Sequence, residues 1–397
     1  MLPLLDEAAR PDLRSLGFSE LSALVSRLGE QPYRARQLYS WLHRKGAASL
    51  DAMTDLPRAF RERLAAETRL TTLAVDAVQQ STDGTRKYRM RTWDGKLIES
   101  VYMPDESGPE SFDPEADEED AGFARVRAET GGRSIGDEPS TRVRRTLCVS
   151  TQVGCAMGCG FCMTATMGLV RNLSAGEICD QIYRVNADLR ALGVPGERPL
   201  TNLVYMGMGE PLHNYDNVMR SLTLLLSEDG ANFSHRHITV STSGLVPNIV
   251  RFGDDTEVKL AVSLNATTDE QRAQLMPVDK KWNIAALMDA VRRFPSRQGR
   301  RVTFEYVLLR DVNDSEEDAA RLAALLRDLP VKVNLIPYNE NPGLGFGDPG
   351  PERVAAFRKA LDARGITALV RKNRGRDIAA ACGQLAVQGQ REARPRI

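Results

Sequence analysis

Cys155, Cys159 and Cys162 form a C-x3-C-x2-C triplet just after an apolar, strand-like run. Three thiolates on one short loop can hold three irons of a 4Fe-4S cluster and leave the fourth without a protein ligand, whereas such clusters more often have four cysteine ligands. An open iron can take the amino and carboxylate groups of S-adenosylmethionine (SAM), pass an electron into its sulfonium and release a 5′-deoxyadenosyl radical. The competing readings are a structural zinc site and cysteines that are simply buried. Structural zinc needs four ligands in a closed tetrahedron, and the stretch Thr164 to Glu177 has no Cys or His to complete one. The spacing favours the cluster.

Other residues able to do chemistry are scattered. Cys148 lies on the run that leads into the triplet, and Cys382 sits far away in AACGQL. Alone, each reads as a small buried residue, as free cysteines often are, and Cys179 keeps that reading. GMGEP (207–211) follows the apolar run LTNLVYM. There Gly207 and Gly209 would let backbone approach a ligand, and Glu210 could accept from an ammonium or ribose; a glycine-rich turn by itself is more often just a turn. Ser241, Asn265 and Asn339 also close apolar runs, positions where turn or cap residues are the default. The four histidines have no metal-like spacing, and His235 and His237 read as structural.

The elements that must position these groups follow from periodicity. In residues 1–69, Leu21, Leu24, Val25 and Leu28, then Leu38, Trp41 and Leu42, then Phe60 and Leu64 have helical spacing, with Gly29 and Gly46 as stops. Residues 70–104 alternate as strands around Asp83-Gly84 and Asp94-Gly95, a β-hairpin extension. Residues 105–140 are rich in Pro, Gly and acid, too poor in apolar groups to order themselves, and carry no assigned catalytic role. From 141 to 377 strands and helices alternate, with strands near 145–151, 200–206, 236–242, 258–264, 301–309 and 331–337. Ser174 and Glu177 make a capping box for the helix after the cysteine loop. Six strand–helix repeats predict an α/β fold, a partial (βα)6 barrel of parallel strands. Eight would close the ring; six leave a side opening through which a macromolecule can present one base. A C-terminal segment, 378–397, carries Cys382.

The motifs CVSTQVGCAMGCGFCMTATMG (148–168), RNLSAGEI (171–178), GMGEP (207–211), STSG (241–244), SLN (263–265) and RGRDIAAACGQL (374–385) resemble, in order, those of the RlmN-type branch of the radical-SAM superfamily, RNA methyltransferases acting on adenine carbon 2. The resemblance runs from about Asp12 to Leu385; the triplet specifies the superfamily and Cys382 the branch. It implies a 4Fe-4S cluster on Cys155, Cys159 and Cys162, and SAM, two per turnover, held by Gly209, Glu210, Ser241, Ser263, Leu264, Asn265 and Asn339. It implies that Cys382 receives a methyl from a first SAM, gives up a hydrogen to the radical made from a second, and joins carbon 2 through its methylene. Cys148 then frees the product by forming a disulfide with Cys382, and Glu99, in LIESVYMP, takes the ring proton. The implied partners are 23S rRNA and tRNA, an electron donor such as flavodoxin or ferredoxin with its reductase, and a thiol reductant. The implied state is a monomer, and residues 1–69 become an RNA-binding unit.

Charge fits RNA only after inspection. The net charge is zero, yet Asp105–Asp120 holds nine acidic residues and no Lys or Arg, which leaves the rest of the chain nine positive. Basic clusters fall at Arg86, Lys87, Arg89 and Arg91, at Arg142, Arg144 and Arg145, and at Arg371, Lys372, Arg374 and Arg376. Six cysteines in 397 residues, four within fifteen positions, do not make a secreted disulfide framework. No signal peptide and no apolar stretch long enough to span a membrane are found, so a reduced, cytoplasmic protein is expected. Three other functions compete: a Cfr-type carbon-8 methyltransferase, a non-catalytic metal-stabilised RNA-binding protein, and a radical-SAM activase. The last two leave Cys382 without a use.

Overall fold

The computed structural model describes residues 10–104, 144–295, 301–341 and 343–387; the acidic stretch Asp105–Asp120 and Arg142 lie outside them. Twelve strands follow one another: β1 (Ala74–Gln80), β2 (Arg86–Arg91), β3 (Leu97–Met103), β4 (Thr146–Cys148), β5 (Gln152–Gly154), β6 (Leu169–Asn172), β7 (Asn202–Tyr205), β8 (Ile238–Thr242), β9 (Lys259–Ser263), β10 (Val302–Leu308), β11 (Val331–Pro337) and β12 (Ala368–Val370). Ten form one sheet in the order β1-β2-β3-β4-β7-β8-β9-β10-β11-β12.

The six expected parallel strands are β4 and β7 to β11, each paired in parallel with the next. The helix Ala175–Ala191 lies between β4 and β7, and the later crossovers carry Tyr215–Leu226, Val246–Asp255, Asp269–Leu275 with Ile284–Arg293, Glu316–Leu326 and Gly350–Asp362. β12 adds a seventh parallel strand that the sequence reading missed, because three residues are too few to show a period. The sheet ends at β1 on one side and β12 on the other, the open form of an α/β barrel.

Residues 74–103 continue that sheet rather than hang from it. β1, β2 and β3 form an antiparallel meander, and β3 pairs with β4 so that Val101 faces Cys148. Both Asp-Gly turns are hairpins, with Gly84 and Gly95 at positive φ.

The N-terminal helices Phe18–Arg27, Tyr33–Tyr39 and Arg58–Glu67 bury Leu21, Val25, Leu38, Phe60 and Leu64, as their spacing required. The second runs on into a π-helical turn, Ser40–Arg44. Arg14 bolts this unit to the barrel. Fully buried, it donates to the carbonyls of Thr71 (2.9 Å), Leu42 (2.8 Å) and Ala47, and lies 3.3 Å from Asp180 on the helix Ala175–Ala191. A buried cation survives only when paired and hydrogen-bonded in this way.

Candidate active site

The cysteine loop leaves and re-enters a small ribbon of its own. β5 and β6 pair antiparallel at its base, and the Cys155 N–H donates to the Gly168 carbonyl at 3.0 Å. The Gly160 N–H donates to Leu275 O (2.9 Å) and the Asn341 amide to Phe161 O (3.4 Å). Phe161 joins Ala266, Leu275, Met276, Leu309 and Tyr338 in an apolar cluster, and Cys159 and Cys162 pack against it.

The local environment fits a cationic, multi-iron group. Burial pushes the Cys155 thiol up to about 12, Cys159 well above its ordinary value and Cys162 upward, and repulsion from Cys162 adds to the rise at Cys155 and Cys159. Thiols so placed become ligands when positive charge compensates them. Among the described residues, no three His, Cys, Asp or Glu side chains converge on one ion position. A cluster asks instead for one thiolate on each of three irons.

The polar residues expected around SAM gather at the C-terminal ends of the strands. Glu210, 3 % exposed, follows β7. Its carboxylate accepts from the N–H groups of Ser243 (2.7 Å) and Leu212 (3.0 Å), and burial nevertheless raises its pKa. Its charge is felt at Cys155 and Cys159. Gly209 serves the protein's own packing: at φ +102°, a Cβ there would come within 2.6 Å of the Gln152 side chain, whose Oε1 accepts the Glu210 N–H at 2.8 Å. The close approach expected toward a ligand is thus made toward Gln152.

Ser241 is buried on β8, Ser263 ends β9, and Leu264 is fully buried beyond it. Asn265 adopts a left-handed conformation (φ 57°), and both ends of its amide are engaged: Oδ1 accepts from the Val307 N–H at 2.8 Å and Nδ2 donates to the Met276 sulfur at 3.2 Å. Asn339, 2 % exposed, has no partner for Oδ1 among the described residues, and Thr151 none for Oγ1. Orphaned buried acceptors are costly.

Arg272 organises these strand ends and was not anticipated. Fully buried, it donates to the carbonyls of Ser243 (2.7 Å), Leu264 (3.1 Å) and Ser263 (3.3 Å) and pairs with Asp279 at 2.9 Å. Nothing in DEQRAQLMPVDK marks an arginine that turns inward. Gln152 was missed for a similar reason, since its role exists only across strands.

The two distant cysteines line a single cavity with Cys162, Met206, Arg371 and Leu385. The C-terminal segment reaches it through discrete bonds. The Met163 N–H donates to Gly383 O (2.7 Å), the Thr164 hydroxyl to Leu385 O (2.6 Å), and the Lys87 ammonium to Ala379 O (3.3 Å). Cys382 is exposed, whereas Cys148 is buried and its thiol is pushed up to about 12, chiefly by that burial. Glu99 does not line the cavity. It lies behind, accepting from the Ala386 N–H at 3.1 Å and 3.5 Å from the Lys87 ammonium. Burial raises its pKa and Lys87 works against the rise. Cys179 is buried and donates to Ser221 O, a structural thiol. All six cysteines are free, so no disulfide joins Cys148 to Cys382 here.

A parallel, open α/β sheet with a three-cysteine loop over its C-terminal edge defines a radical SAM protein, and residues 149–323 match the family model described as the radical SAM superfamily. Residues 11–70 match a second model, the ribosomal RNA large subunit methyltransferase N-terminal domain. The dual-specificity RNA methyltransferase RlmN of Anaeromyxobacter dehalogenans is 59 % identical over 96 % of this chain and 92 % of its own. RlmN 2 of Myxococcus xanthus is 55 % identical over 99 % and 95 %. The crystal structure of a radical SAM methyltransferase from Sphaerobacter thermophilus superposes with a TM-score of 0.81 at 44 % identity, over 94 % of this chain and 99 % of that one. The chain belongs to the RlmN family of dual-specificity RNA methyltransferases. It is a radical SAM RNA methyltransferase, and its cofactors are a 4Fe-4S cluster and SAM. No helix among the described residues is long and apolar enough to cross a membrane.

Proposed function

We propose that this enzyme methylates carbon 2 of an adenine in 23S rRNA, at the peptidyl-transferase centre, and of the adenine 3′ to the anticodon in certain tRNAs. Two SAM are consumed per turnover and the methyl passes through Cys382. The observation that carries the reading is the cavity shared by Cys148, Cys162 and Cys382, which joins the cluster loop, the carrier thiol and a second thiol.

Cys155, Cys159 and Cys162 would hold the cluster, and Gly209, Glu210, Ser241, Ser263, Leu264, Asn265 and Asn339 would surround SAM. When bound, these groups supply a methyl for transfer and a 5′-deoxyadenosyl radical. The protein's own task follows from the target. Carbon 2 of adenine lies between two ring nitrogens and is electron-poor, so it does not attack a methyl sulfonium. A thiol does, and Cys382 is the exposed thiol of the cavity. Loss of one hydrogen from its S-methyl group leaves a carbon radical that adds to carbon 2 and ties protein to RNA; besides the carbon-2 proton, the adduct must shed one electron, the equivalent spent in making the radical, to become a closed-shell thioether. Glu99, behind the cavity wall, is assigned the carbon-2 proton; burial raises its pKa, which makes its carboxylate a stronger base. Cys148 then attacks the Cys382 sulfur, and a thiol reductant reopens the disulfide. A flavodoxin, or a ferredoxin with its reductase, supplies electrons, and the setting is the reducing cytoplasm.

Mass spectrometry of ribosomal and transfer RNA fragments tests the target atom: 2-methyladenine is expected, and 8-methyladenine would overturn the reading. The thiol roles are tested by denaturing electrophoresis of variants expressed in cells, with and without ribonuclease. Cys382→Ala should form no conjugate with RNA. Cys148→Ala should accept a methyl, react, and stall as a covalent conjugate, because attachment needs one sulfur and release needs two.

A further inference from the structure

We infer that Arg89, Arg91 and Trp93 form a track that holds the RNA strand beside the target adenine, the arginines on successive phosphates and the indole under an unpaired base. The inference rests on the reading above that the substrate is an RNA whose adenine reaches the cysteine cavity. It names the surface that grips the strand outside that cavity.

β2 carries a cation at every second position: Lys87, Arg89 and Arg91. Side chains two apart on a strand share a face, and so do directly opposed residues of paired strands. Lys87 opposes Val101, which opposes Cys148 on β4, and Val101 and Cys148 both line the cavity. The three cations therefore stand on the cavity's side of the sheet. Arg89 and Arg91 oppose Glu99 and Leu97, each a step further from Cys148. Exposure climbs along the row: the Lys87 side chain is 10 % exposed, Arg89 45 % and Arg91 47 %, and Trp93 in the turn beyond is 54 % exposed. The row leads from beside the cavity out to solvent, one strand in from β1, where the sheet ends.

The first cation is spent. Lys87 lies 3.5 Å from Glu99 and donates to Ala379 O at 3.3 Å. The other two are held ready. Asp76 falls at a bulge in β1, between Val75 opposite Met90 and Ala77 opposite Arg89, and bulges re-aim side chains. Its carboxylate accepts from Arg89 Nε at 2.6 Å on one oxygen and from Arg91 Nη2 on the other. One carboxylate between two guanidiniums leaves the pair net positive, and each guanidinium, with five N–H donors, keeps several for a ligand. The two residues stand roughly 6.8 Å apart along the strand, close to the spacing of successive phosphates in an extended RNA strand. Arginine suits phosphate because it meets two oxygens with a planar pair of N–H groups.

Trp93 is fixed from two sides. Arg69, within the stretch matched by the N-terminal-domain model, lies 5.1 Å from the ring centre, and Arg171 on β6 lies 5.9 Å from it. Arg171 donates to Asp94, the next residue of the turn, from Nε and Nη2 at 2.8 Å, and also to Glu177. The turn is thereby tied to the ribbon that carries the cysteine loop. A large ring left more than half exposed forfeits its burial and offers a face on which any base can stack. A merely solvated run of charge needs neither a carboxylate to align it nor an indole at its end.

Fluorescence anisotropy of the cluster-loaded, anaerobic protein tests this with two labelled RNAs, a stem–loop with unpaired adenine in its loop and a blunt duplex, each titrated at several KCl concentrations. The double variant Arg89→Gln, Arg91→Gln should bind the stem–loop roughly tenfold more weakly at ~0.1 M salt. Its salt slope should flatten by about 1.4, the share of two single-strand phosphates. Trp93→Ala should bind the stem–loop about tenfold more weakly with the slope unchanged, because stacking releases no counterions. It should bind the duplex, whose bases are already stacked, as the parent does, and Trp93→Phe should stay within a few-fold on both. Unchanged stem–loop affinity in either the double variant or Trp93→Ala would overturn the track. So would a loss in Trp93→Ala that is equal for both RNAs, the mark of a side chain that only props the fold. A changed oligomeric state in Trp93→Ala with RNA affinity intact would be equally fatal, since it marks a protein-docking face. Should the double variant lose its iron, Arg91→Gln alone is read, with half the change in slope. A parent that binds neither RNA sinks the substrate reading together with the track, whereas a parent that binds while the variants bind equally sinks the track alone.

Discussion

The cluster loop and the C-terminal segment meet at one cavity but are held there by different means. Cys155–Gly168 is clamped by a strand pair at its base and packs its cysteines against Phe161, Leu275, Met276 and Tyr338. Behind it Arg272 ties the ends of two strands, β8 and β9, together from a fully buried position. The segment that carries Cys382 has only a three-residue 3-10 turn, Arg376–Ile378, between left-handed residues Gly375 and Ala379. Its tethers are single bonds: Asp83 to the Gly375 N–H, Ser81 to Asp377, Lys87 to Ala379 O, Met163 to Gly383 O, Glu99 to the Ala386 N–H. Ala380, Leu385 and Val387 anchor it in the core, but a stretch without a repeating backbone hydrogen-bond pattern opens more readily than a strand pair. On the roles proposed above, a radical source has to stay still, whereas a methyl carrier has to face a donor and then a base. The contrast in construction matches that division of labour.

Breaking the fixed side should have the largest effect. Cys159→Ala removes one of the three thiols proposed above to hold the cluster. The anaerobically prepared variant should lose most of its iron and all 5′-deoxyadenosine production, measured by iron assay and chromatography. Full iron loading with unchanged SAM cleavage would mean that the cluster is held elsewhere.

Removing the tie behind the loop should cost stability before chemistry. Arg272→Met leaves three backbone carbonyls without their donor and Asp279 without its charge partner. Deleting one member of a buried pair typically costs about 3–5 kcal/mol, a large share of a domain's stability. Denaturant unfolding of the variant should show a loss of that order. A change below about 1 kcal/mol would mean that the strand ends are held by packing alone.

The contrast also explains what could be seen in the sequence. The cysteine loop was legible because its ligands are adjacent and their spacing is itself the chemistry. Cys382 was legible through the AACGQL resemblance, not through any local pattern. The six barrel strands showed as apolar runs with turn residues behind them, while β12, three residues long, left no period to detect. Arg272 and Gln152 stayed hidden because each works across elements that no local pattern joins. The place of Asn265 at a strand end was legible, but its bonds to Val307 and Met276 were not, because both partners lie on other segments. The glycines of GMGEP were recognised, but the neighbours they admit, Val149 and Ser150 at Gly207 and Gln152 at Gly209, could not be read from the motif.

The smallest expected effect probes the loose side and carries a pH signature. Asp83, in the first hairpin turn, accepts from the Gly375 N–H at 2.9 Å and from the Thr85 N–H at 2.9 Å. Burial would raise its pKa, but these bonds outweigh it and hold the carboxyl at about 2, below the ordinary 3.8. A carboxyl depressed on folding adds stability that is complete above its unfolded pKa and is lost as pH falls through the folded one. The tether on Gly375 should therefore be intact at neutral pH and fail between about pH 4 and pH 2. Hydrogen exchange of residues 375–387 in cluster-free protein, corrected for the intrinsic dependence on pH, reads this directly. In Asp83→Asn these amides should exchange a few-fold faster at neutral pH, with no additional step on acidification. The parent should reach the variant's rate only at the acid end. Identical exchange in both proteins at neutral pH would show that the carrier segment is held by its contacts with the cluster loop and not by the hairpin.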